Sequence, residues 1–491
     1  VRPAPATSTV RPAPPTSTVR PAPPTSTVRP DEPTYARFGT LGWLCLAATI
    51  AYICRNSIGT LESTIRKDLQ IDEVTMGYII SSFFLTYAIF QIPTGMLGQR
   101  WGSRRCLPLF SVAWSVAAGL MSCAVGTVGV VVLFVSRLSN GVFQAGLFPC
   151  ATNTVSKWFA PTGRALAMGG LGSFMSIGGA VGAALSGLLL EPLGWRLTML
   201  VFSSFGLVWA IGFYLWFRDR PEDHAAVSEV ELALIQAPDL QAPVADQPAA
   251  DDQEPAGEAA EPDEAIPWRA LLLNSATWCI CGQQIFRGAG YIFFASWFAT
   301  YLQETRDVTP AKSGLLNSLP LLAAVGGTWV GGAVSDALYR RTGSLSVARR
   351  QLATVSVLAC AGFVLAAYFI ADPLWAVIVI SIGAFCASVA GPCAYTITID
   401  MGGRHVATLF ATMNMCGNFG ALLFINAVPW SLKLIEHRYP EYAGSAWDAV
   451  LLLFGLMYVG AGLCWFFLRT NGTVLDHSWV SPKRGSQGSR D

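Results

Sequence analysis

The sequence predicts an all-α membrane protein with twelve transmembrane helices in two pseudo-symmetric six-helix bundles. Three observations carry that expectation: an apolar composition, apolar runs long enough to span a bilayer, and a basic loop motif that occurs twice, six spans apart. Of 491 residues, 53% are hydrophobic and 13% charged, whereas a soluble domain carries about 25% charged residues. Runs of roughly 18 apolar residues or more cross about 30 Å of hydrocarbon at 1.5 Å per residue, and they cover most of the chain.

Residues 1–37 repeat a nine-residue unit, VRPAPATST, VRPAPPTST, VRPAPPTST and VRPDEPTYA. So much proline, serine and threonine cannot bury a core, and a disordered tail without a transport role is expected. The N-terminal bundle, 38–217, is predicted to hold helices near 39–60, 75–98, 106–125, 128–150, 163–190 and 195–217. The C-terminal bundle, 268–470, is predicted to hold helices near 272–302, 310–338, 350–371, 373–400, 404–430 and 446–468. Between them, residues 218–267 contain fourteen Asp and Glu and read as a solvated acidic linker. Residues 471–491 form a tail.

With an even number of spans both termini share one side, and the basic residues choose it. With the termini inside, the inner segments hold 22 Lys and Arg, the outer loops 7, and the helices 3. Both termini and the linker are therefore expected on the cytoplasmic side of a plasma, or inner, membrane. A net charge of +1 gives no electrostatic basis for binding nucleic acid. The twelve cysteines lie in or beside apolar runs without metal-ligand spacing, so neither a metal centre nor a disulfide scaffold is expected.

The loop after the second helix reads Gly95-Met-Leu-Gly-Gln99-Arg100-Trp-Gly102-Ser-Arg104-Arg105, a tight turn with a basic cluster. After the eighth helix stands Gly332-Ala-Val-Ser-Asp336, followed by Arg340, Arg341, Gly343, Arg349 and Arg350. Equivalent loops six spans apart imply two homologous halves related by an axis along the membrane normal. Small residues there allow close helix approach, and the cationic turn anchors the inner face.

On these residues the sequence resembles the major facilitator superfamily over roughly 38–470, with Gln99 where the first signature usually has an acidic residue and Asp336 keeping it in the second. Further segments resemble its anion:cation symporter branch, which includes hexuronate, glucarate and galactonate carriers and sialin. These are Tyr87 in SSFFLTYAIFQIPTG, Arg137-Leu-Ser-Asn-Gly141-Val-Phe-Gln-Ala-Gly146-Leu-Phe-Pro149, Lys157-Trp158-Phe159, Gly194-Trp195-Arg196, and Asn414 to Asn418. The resemblance implies a secondary transporter, symporter or antiporter, for a small organic anion such as a sugar acid.

Three arginines fall inside predicted spans: Arg55, Arg137 and Arg287. A buried arginine costs at least about 2.5 to 3.5 kcal/mol on insertion scales, so an unpaired one calls for a watery cavity or an anion. Carboxylates approach the membrane only near helix ends, at Glu62, Glu191, Asp336 and Asp400. Guanidinium forks suit a carboxylate or phosphate. Arg55 and Arg287 hold matching places, 40 residues before Gly95 and 45 before Gly332. Against this stands the bland reading that an arginine such as Arg137 only satisfies backbone carbonyls.

Tyr87, Gln144, Tyr291 and Asn414 are the other expected substrate contacts, with Tyr52, Gln91, Asn153, Gln283, Gln284, Tyr395, Thr396, Thr398 and Asn418 as further polar candidates. In the resembled sugar-acid symporters, an acidic residue precedes the first-helix arginine and another follows the fourth-helix arginine by seven residues. Cys54 and Gln144 stand here instead. That departure, with paired arginines in helices 1 and 7, resembles organophosphate:phosphate exchangers and favours exchange over proton symport.

No Ser-His-Asp grouping, HExxH, Walker loop or dinucleotide glycine pattern occurs in a suitable context, which argues against an enzyme. His224, His405, His437 and His477 fall in loops or at helix ends and are expected in solvent. A transporter-like sensor signalling through the acidic linker is the reading from another class, and transport of any substrate separates the two. The expected partners are a small-molecule anion, membrane lipid, and a coupling ion or counter-anion. The protein is expected to be a monomer without cofactor.

Overall fold

The apolar runs fold as helices because a backbone in lipid must satisfy its own hydrogen bonds. The structure is a computed structural model that describes residues 33–236, 268–293, 297–306, 308, 310–438, 446–470 and 472–474. The first half contains α1 (Ala36–Leu69), α2 (Glu73–Trp101), α3 (Ser103–Leu120), α4 (Gly126–Gln144), α5 (Leu147–Trp158) and α6 (Arg164–Trp216). Two short helices follow, α7 (Glu229–Ile235) and α8 (Trp268–Leu272). The second half contains α9 (Ser275–Ile292), α10 (Phe298–Arg306), α11 (Pro310–Thr342), α12 (Leu352–Tyr368), α13 (Pro373–Gly402), α14 (Val406–Arg438) and α15 (Ala446–Phe467).

Among the described residues, nine helical stretches are long and apolar enough to cross a membrane. Two of them, Pro161–Trp216 and Pro373–Phe424, have 56 and 52 residues, more than twice what one crossing of about 20 residues needs. Each turns back once. In α6 the turn is Gly194, whose φ of 68° favours glycine, two residues after Pro192. In the second stretch it is the 3-10 turn Gly403–His405 between α13 and α14.

The predicted fourth helix is interrupted between α4 and α5. Pro149 has no N–H to offer the carbonyl four residues back, and Gly146 lies so close to the Phe110 ring that a Cβ would stand 2.3 Å from it. The predicted seventh helix corresponds to α9 and α10. Residues 294–296 between them are outside the described residues.

Helices α1, α3, α4 and α6 pack together, as do α9 and α11 to α15. The two halves meet through α2 with α14, α5 with α14, and α6 with α11 and α13. Small residues set the approach: a Cβ on Gly332 would stand 2.8 Å from the Ala165 carbonyl oxygen, and one on Gly95 3.0 Å from the Ala411 Cβ. Both contacts lie toward the end of the bundle that carries the two basic loops.

That end is latched by charge. Asp336 accepts from the backbone N–H groups of Ala165 at 3.2 Å and Leu166 at 2.8 Å, the first residues of α6 across the interface. Arg349 is fully buried and donates to Asp336 at 3.2 Å, Asp400 at 3.1 Å, Ser335 Oγ at 2.6 Å and the Pro161 carbonyl at 3.1 Å. Arg164 reaches Asp400 at 3.3 Å, and Arg340 reaches the Thr162 carbonyl at 3.1 Å. Arg349 sits in a π-helical turn, Ser346–Gln351, that opens α12.

The first-half copy works differently. Gln99 donates to the Arg404 carbonyl and accepts from Thr408 Oγ1 at 3.1 Å, so an amide joins α2 to α14 where an acidic residue was expected to be missed. Gly102, at φ 82°, lies against Asp219, whose carboxylate accepts from the Arg104 N–H at 3.1 Å. The Arg104 side chain donates to the Tyr214 carbonyl at 3.3 Å. Arg100 and Arg105 are exposed on either side of that turn.

Two expectations are corrected in this region. A solvated linker was expected over 218–267, yet 218–236 pack against the first half; 237–267 are outside the described residues. Glu231 is fully buried and accepts from Thr34 Oγ1 at 2.5 Å, the Ala36 N–H at 3.1 Å and the Arg37 N–H at 3.1 Å. It thus supplies the acceptor that the free N–H groups at the start of α1 require. His224, expected in solvent, is buried between Trp158 and Trp216, with ring centroids 5.5 and 4.6 Å away. Burial first, and then the Arg218 charge, push its pKa below the ordinary histidine value. His405 is buried as well, His437 is exposed, and His477 lies outside the described residues.

Replacing Glu231 tests this docking. Glu231→Ala strands two helix N–H groups and is expected to cost about 1 to 3 kcal/mol, read as a lower midpoint in a detergent thermal scan. Glu231→Gln retains part of the acceptor set and is expected to fall between.

Candidate functional site

Arg55 is on α1, within one turn of the middle of the helix, and three aromatic rings surround it, one from α1 and two from α2. Its guanidinium carbon lies 4.3 Å from the Tyr52 ring centroid, 4.6 Å from Phe83 and 4.4 Å from Tyr87. Tyr52 is one turn back on α1, while Phe83 and Tyr87 are one turn apart on α2 and stack on each other at 5.5 Å. Arg55 Nε donates to Gln144 Oε1 of α4 at 3.2 Å, and Gln144 Nε2 donates in turn to the Ala51 carbonyl at 3.2 Å. The arginine is 8% exposed and Gln144 fully buried. Cation–π contacts contribute about 0.5 to 2 kcal/mol each, which holds the guanidinium in place without neutralising it.

Arg137 is also buried, 1% exposed, and its Nη1 donates to the Arg55 carbonyl at 3.4 Å. Its guanidinium carbon is 4.8 Å from the Phe83 ring that also faces Arg55, so two cations share one aromatic ring. Its contact with a backbone carbonyl is what the bland reading of this residue expects.

The second half contributes Arg287, half-buried on α9. Its Nε and Nη2 both donate to Gln284 Oε1, at 3.1 and 3.0 Å, and Nη2 also reaches the Tyr395 hydroxyl at 3.5 Å. Its guanidinium carbon lies 5.4 Å from the Tyr395 ring. Tyr291, one turn after Arg287 on α9, is 54% exposed.

Asn414, half-buried on α14, bonds across the interface between the halves. Its Nδ2 donates to Gln91 Oε1 at 2.8 Å, tying α14 to α2, and Asn418 donates to the Asn414 carbonyl at 2.8 Å. Asn414 is therefore a strut between the halves beside the arginines. Thr396 and Thr398 spend their hydroxyls on the carbonyls of Pro392 and Tyr395, both at 2.7 Å. The structure thus brings Arg55, Tyr87, Arg137 and Gln144 into one cluster in the first half, and joins Arg287 to Gln284 and Tyr395 in the second, with Tyr291 one turn along α9 from it.

Tyr52 and Gln284, expected only as further polar candidates, each touch an arginine. Helical spacing was the available signal, since Tyr52 and Gln284 each stand three residues before their arginine. Among the described residues, the buried carboxylates Glu231, Asp336 and Asp400 all lie at the basic-loop end, away from this cluster. A separate apolar groove of about 340 Å³, lined by Leu319, Ala323, Ile378, Ser381, Ile382 and Phe385, has no charged wall.

The arrangement can hold a negatively charged group between two bundles. A probable sulfoacetate transporter, SauU, of Cupriavidus necator is 29% identical over 422 residues, covering 86% of this chain and 91% of that protein. A D-galactonate transporter of Escherichia coli O6:H1 is 30% identical over 325 residues, covering 64% and 70% respectively. The solved structure of a proton:xylose symporter, XylE, bound to 6-bromo-6-deoxy-D-glucose superposes with a TM-score of 0.66 at 15% identity, covering 90% of this chain and 98% of that one. The Major Facilitator Superfamily model matches residues 44–425, and the chain belongs to that family.

Proposed function

We propose that this protein is a secondary transporter that moves a small organic anion, a sugar acid or another carboxylate, across the plasma membrane by alternating access. The observation that carries the reading is Arg55, buried in an aromatic box and oriented by a neutral glutamine, with Arg287 held in the same way by Gln284 in the other half. A guanidinium in such a place is a carboxylate receptor waiting for its ligand. The relatives named for sulfoacetate and D-galactonate transport agree with an anionic cargo.

Residues 38–217 and 268–470 are the two rocking units, joined through 218–267. The excess of Lys and Arg supports an orientation with the basic-loop end and both termini in the cytoplasm. The latch of Asp336, Arg349 and Asp400 would close that end in the outward-open state of the cycle. Inward opening breaks the Asp336 bonds to Ala165 and Leu166. Arg55, Arg287 and the tyrosines around them bind the anion; Gln144 and Gln284 orient the arginines; Arg137 braces the α1 backbone below.

Uptake into proteoliposomes, with a panel of sugar acids, sulfonates, sugar phosphates and neutral sugars, tests the reading directly. Carboxylates are expected to be transported and neutral sugars ignored. Uptake confined to phosphate esters in exchange for phosphate would favour the organophosphate exchanger that the paired arginines of α1 and α9 also resemble. Lysine keeps the charge but loses the fork, so Arg55→Lys and Arg287→Lys are each expected to cut uptake by about tenfold or more with little change in thermal midpoint. Wild-type uptake in both would remove the arginines from the site.

Coupling follows from the same charges. An empty cavity lined by guanidiniums is costly to occlude, so the anion itself permits reorientation in both directions. Internal anion is expected to accelerate uptake severalfold, while an imposed proton gradient has little effect. Concentrative uptake driven by external acid alone, into vesicles without internal anion, would contradict exchange.

A further inference from the structure

We infer that residues 218–236 form a pH-released clasp on the first half, held while His224 is neutral and let go when it is protonated. The clasp lies outside the cavity and does not depend on what the protein carries. It grips at two places. At one, the His224 ring sits between the indoles of Trp158 and Trp216, with centroids 5.5 and 4.6 Å away and planes inclined at 84° and 63°. At the other, Ser228 and Glu231 hold the start of α1: the Ser228 N–H donates to Thr34 Oγ1 at 3.0 Å, and Glu231 accepts from the Ala36 and Arg37 N–H groups. Val227, packed on the core between the two grips, donates its N–H to the His224 carbonyl at 3.0 Å, so one tight turn joins them.

The hydrogen bonds of the first grip require a neutral ring. Nδ1 accepts from the Ala226 N–H at 3.2 Å, so it carries no proton, and the proton of the neutral ring is on Nε2. Nε2 is buried and makes no hydrogen bond of good geometry. A second proton has only Nδ1 to bind, where it meets another donor and breaks that bond. The imidazolium would then hold two buried N–H groups without a well-placed acceptor, an unfavourable way to bury a charge.

The surrounding charges lean the same way. Burial opposes the imidazolium most, and Arg218, just past the end of α6, opposes it next; the Trp216 backbone and Glu231 of α7 favour it less. Arg218 is fixed in place, since its Nη1 donates to the carbonyls of Leu215 at 3.0 Å and Phe217 at 2.9 Å, while its own carbonyl accepts from Trp158 Nε1 at 3.2 Å. Glu231 is already engaged with the start of α1 and lies 3.9 Å from Arg37. Glu222, Asp223 and Glu229 of the same segment and Lys157 of α5 are exposed, where solvent and salt screen them. The docked ring therefore titrates below the ordinary histidine value. A histidine depressed in this way favours docking fully above its free pKa and loses that contribution as pH falls toward the docked one, because the released segment takes up the proton first. Release leaves the first N–H groups of α1, the helix that bears Arg55, without their acceptor.

Hydrogen–deuterium exchange of the full chain in detergent, read by mass spectrometry over a pH series with the intrinsic exchange rates divided out, tests the clasp. One proton taken up by a free histidine at about pH 6.5 supplies about a tenfold loss of protection between about pH 7.5 and about pH 5.5. That loss is expected in peptides covering 33–37 and 224–236 and not in α3 or α4. His224→Asn keeps an acceptor for the Ala226 N–H, and His224→Phe keeps a ring between the indoles. Neither titrates, so whichever variant stays protected at the higher pH is expected to lose nothing on acidification. Equal protection of the wild type at both pH values, or release only below about pH 4.5 where carboxylates protonate, overturns the clasp. An equal acid loss in a protected variant overturns it too. If neither variant is protected at the higher pH, the wild-type midpoint alone decides between imidazole and carboxylate.

Discussion

The cation on Arg55 is the constraint around which the first half is arranged. Burying a guanidinium in a bundle this apolar is unfavourable unless something polarisable or polar meets every side of it. The fold meets that demand with π faces and an amide, not with a carboxylate: Tyr52, Phe83 and Tyr87 surround it and Gln144 accepts from Nε. The same demand appears in the second half at Arg287, answered by Gln284 and Tyr395. Both answers stabilise position and preserve charge, and in the transport cycle proposed here an entering anion would complete the electrostatic satisfaction and so link binding to closure.

At the basic-loop end the logic is reversed. There the arginine, Arg349, is paired with two carboxylates and two further acceptors, and it is fully buried. A paired and hydrogen-bonded ion of this kind fixes geometry more than it adds net stability. Asp336 also accepts from two backbone N–H groups of α6, so the network joins the halves at a point where Gly332 already allows the backbones to touch. The protein thus holds arginines met by amides and aromatic rings around Arg55 and Arg287, and an arginine met by carboxylates at the basic-loop end.

The helices and the twofold repeat were legible because hydrophobic run length and the glycine-basic loop are local signals. Gly194 was read as a boundary between two spans, and its positive φ shows why. The α4–α5 break was missed, since Pro149 and the Phe110 contact at Gly146 act only once α3 is packed beside them. Arg55, Arg287 and Arg137 stood out as charges among apolar residues. Their partners did not, because nothing in the sequence says which of many polar side chains shares a face with them after folding. Asn414 illustrates the limit: nothing in the sequence marks Gln91 as its partner across the interface. Glu231 and His224 were hidden for the opposite reason, lying in a charge-rich stretch whose composition suggests solvent while tertiary contacts bury both.

The central claim is that the cavity's cations await an anion, and ligand-dependent stability of the purified protein tests it without requiring transport. Thermal midpoints in detergent would be measured with increasing galactarate and with galactitol, which has the same carbon skeleton and no charge. The account predicts that galactarate raises the midpoint in a saturable manner, by the mass-action stabilisation of a ligand that binds only the folded state, and that galactitol leaves it unchanged. Equal stabilisation by galactitol would show that hydroxyl groups rather than charge are recognised, and would contradict the account.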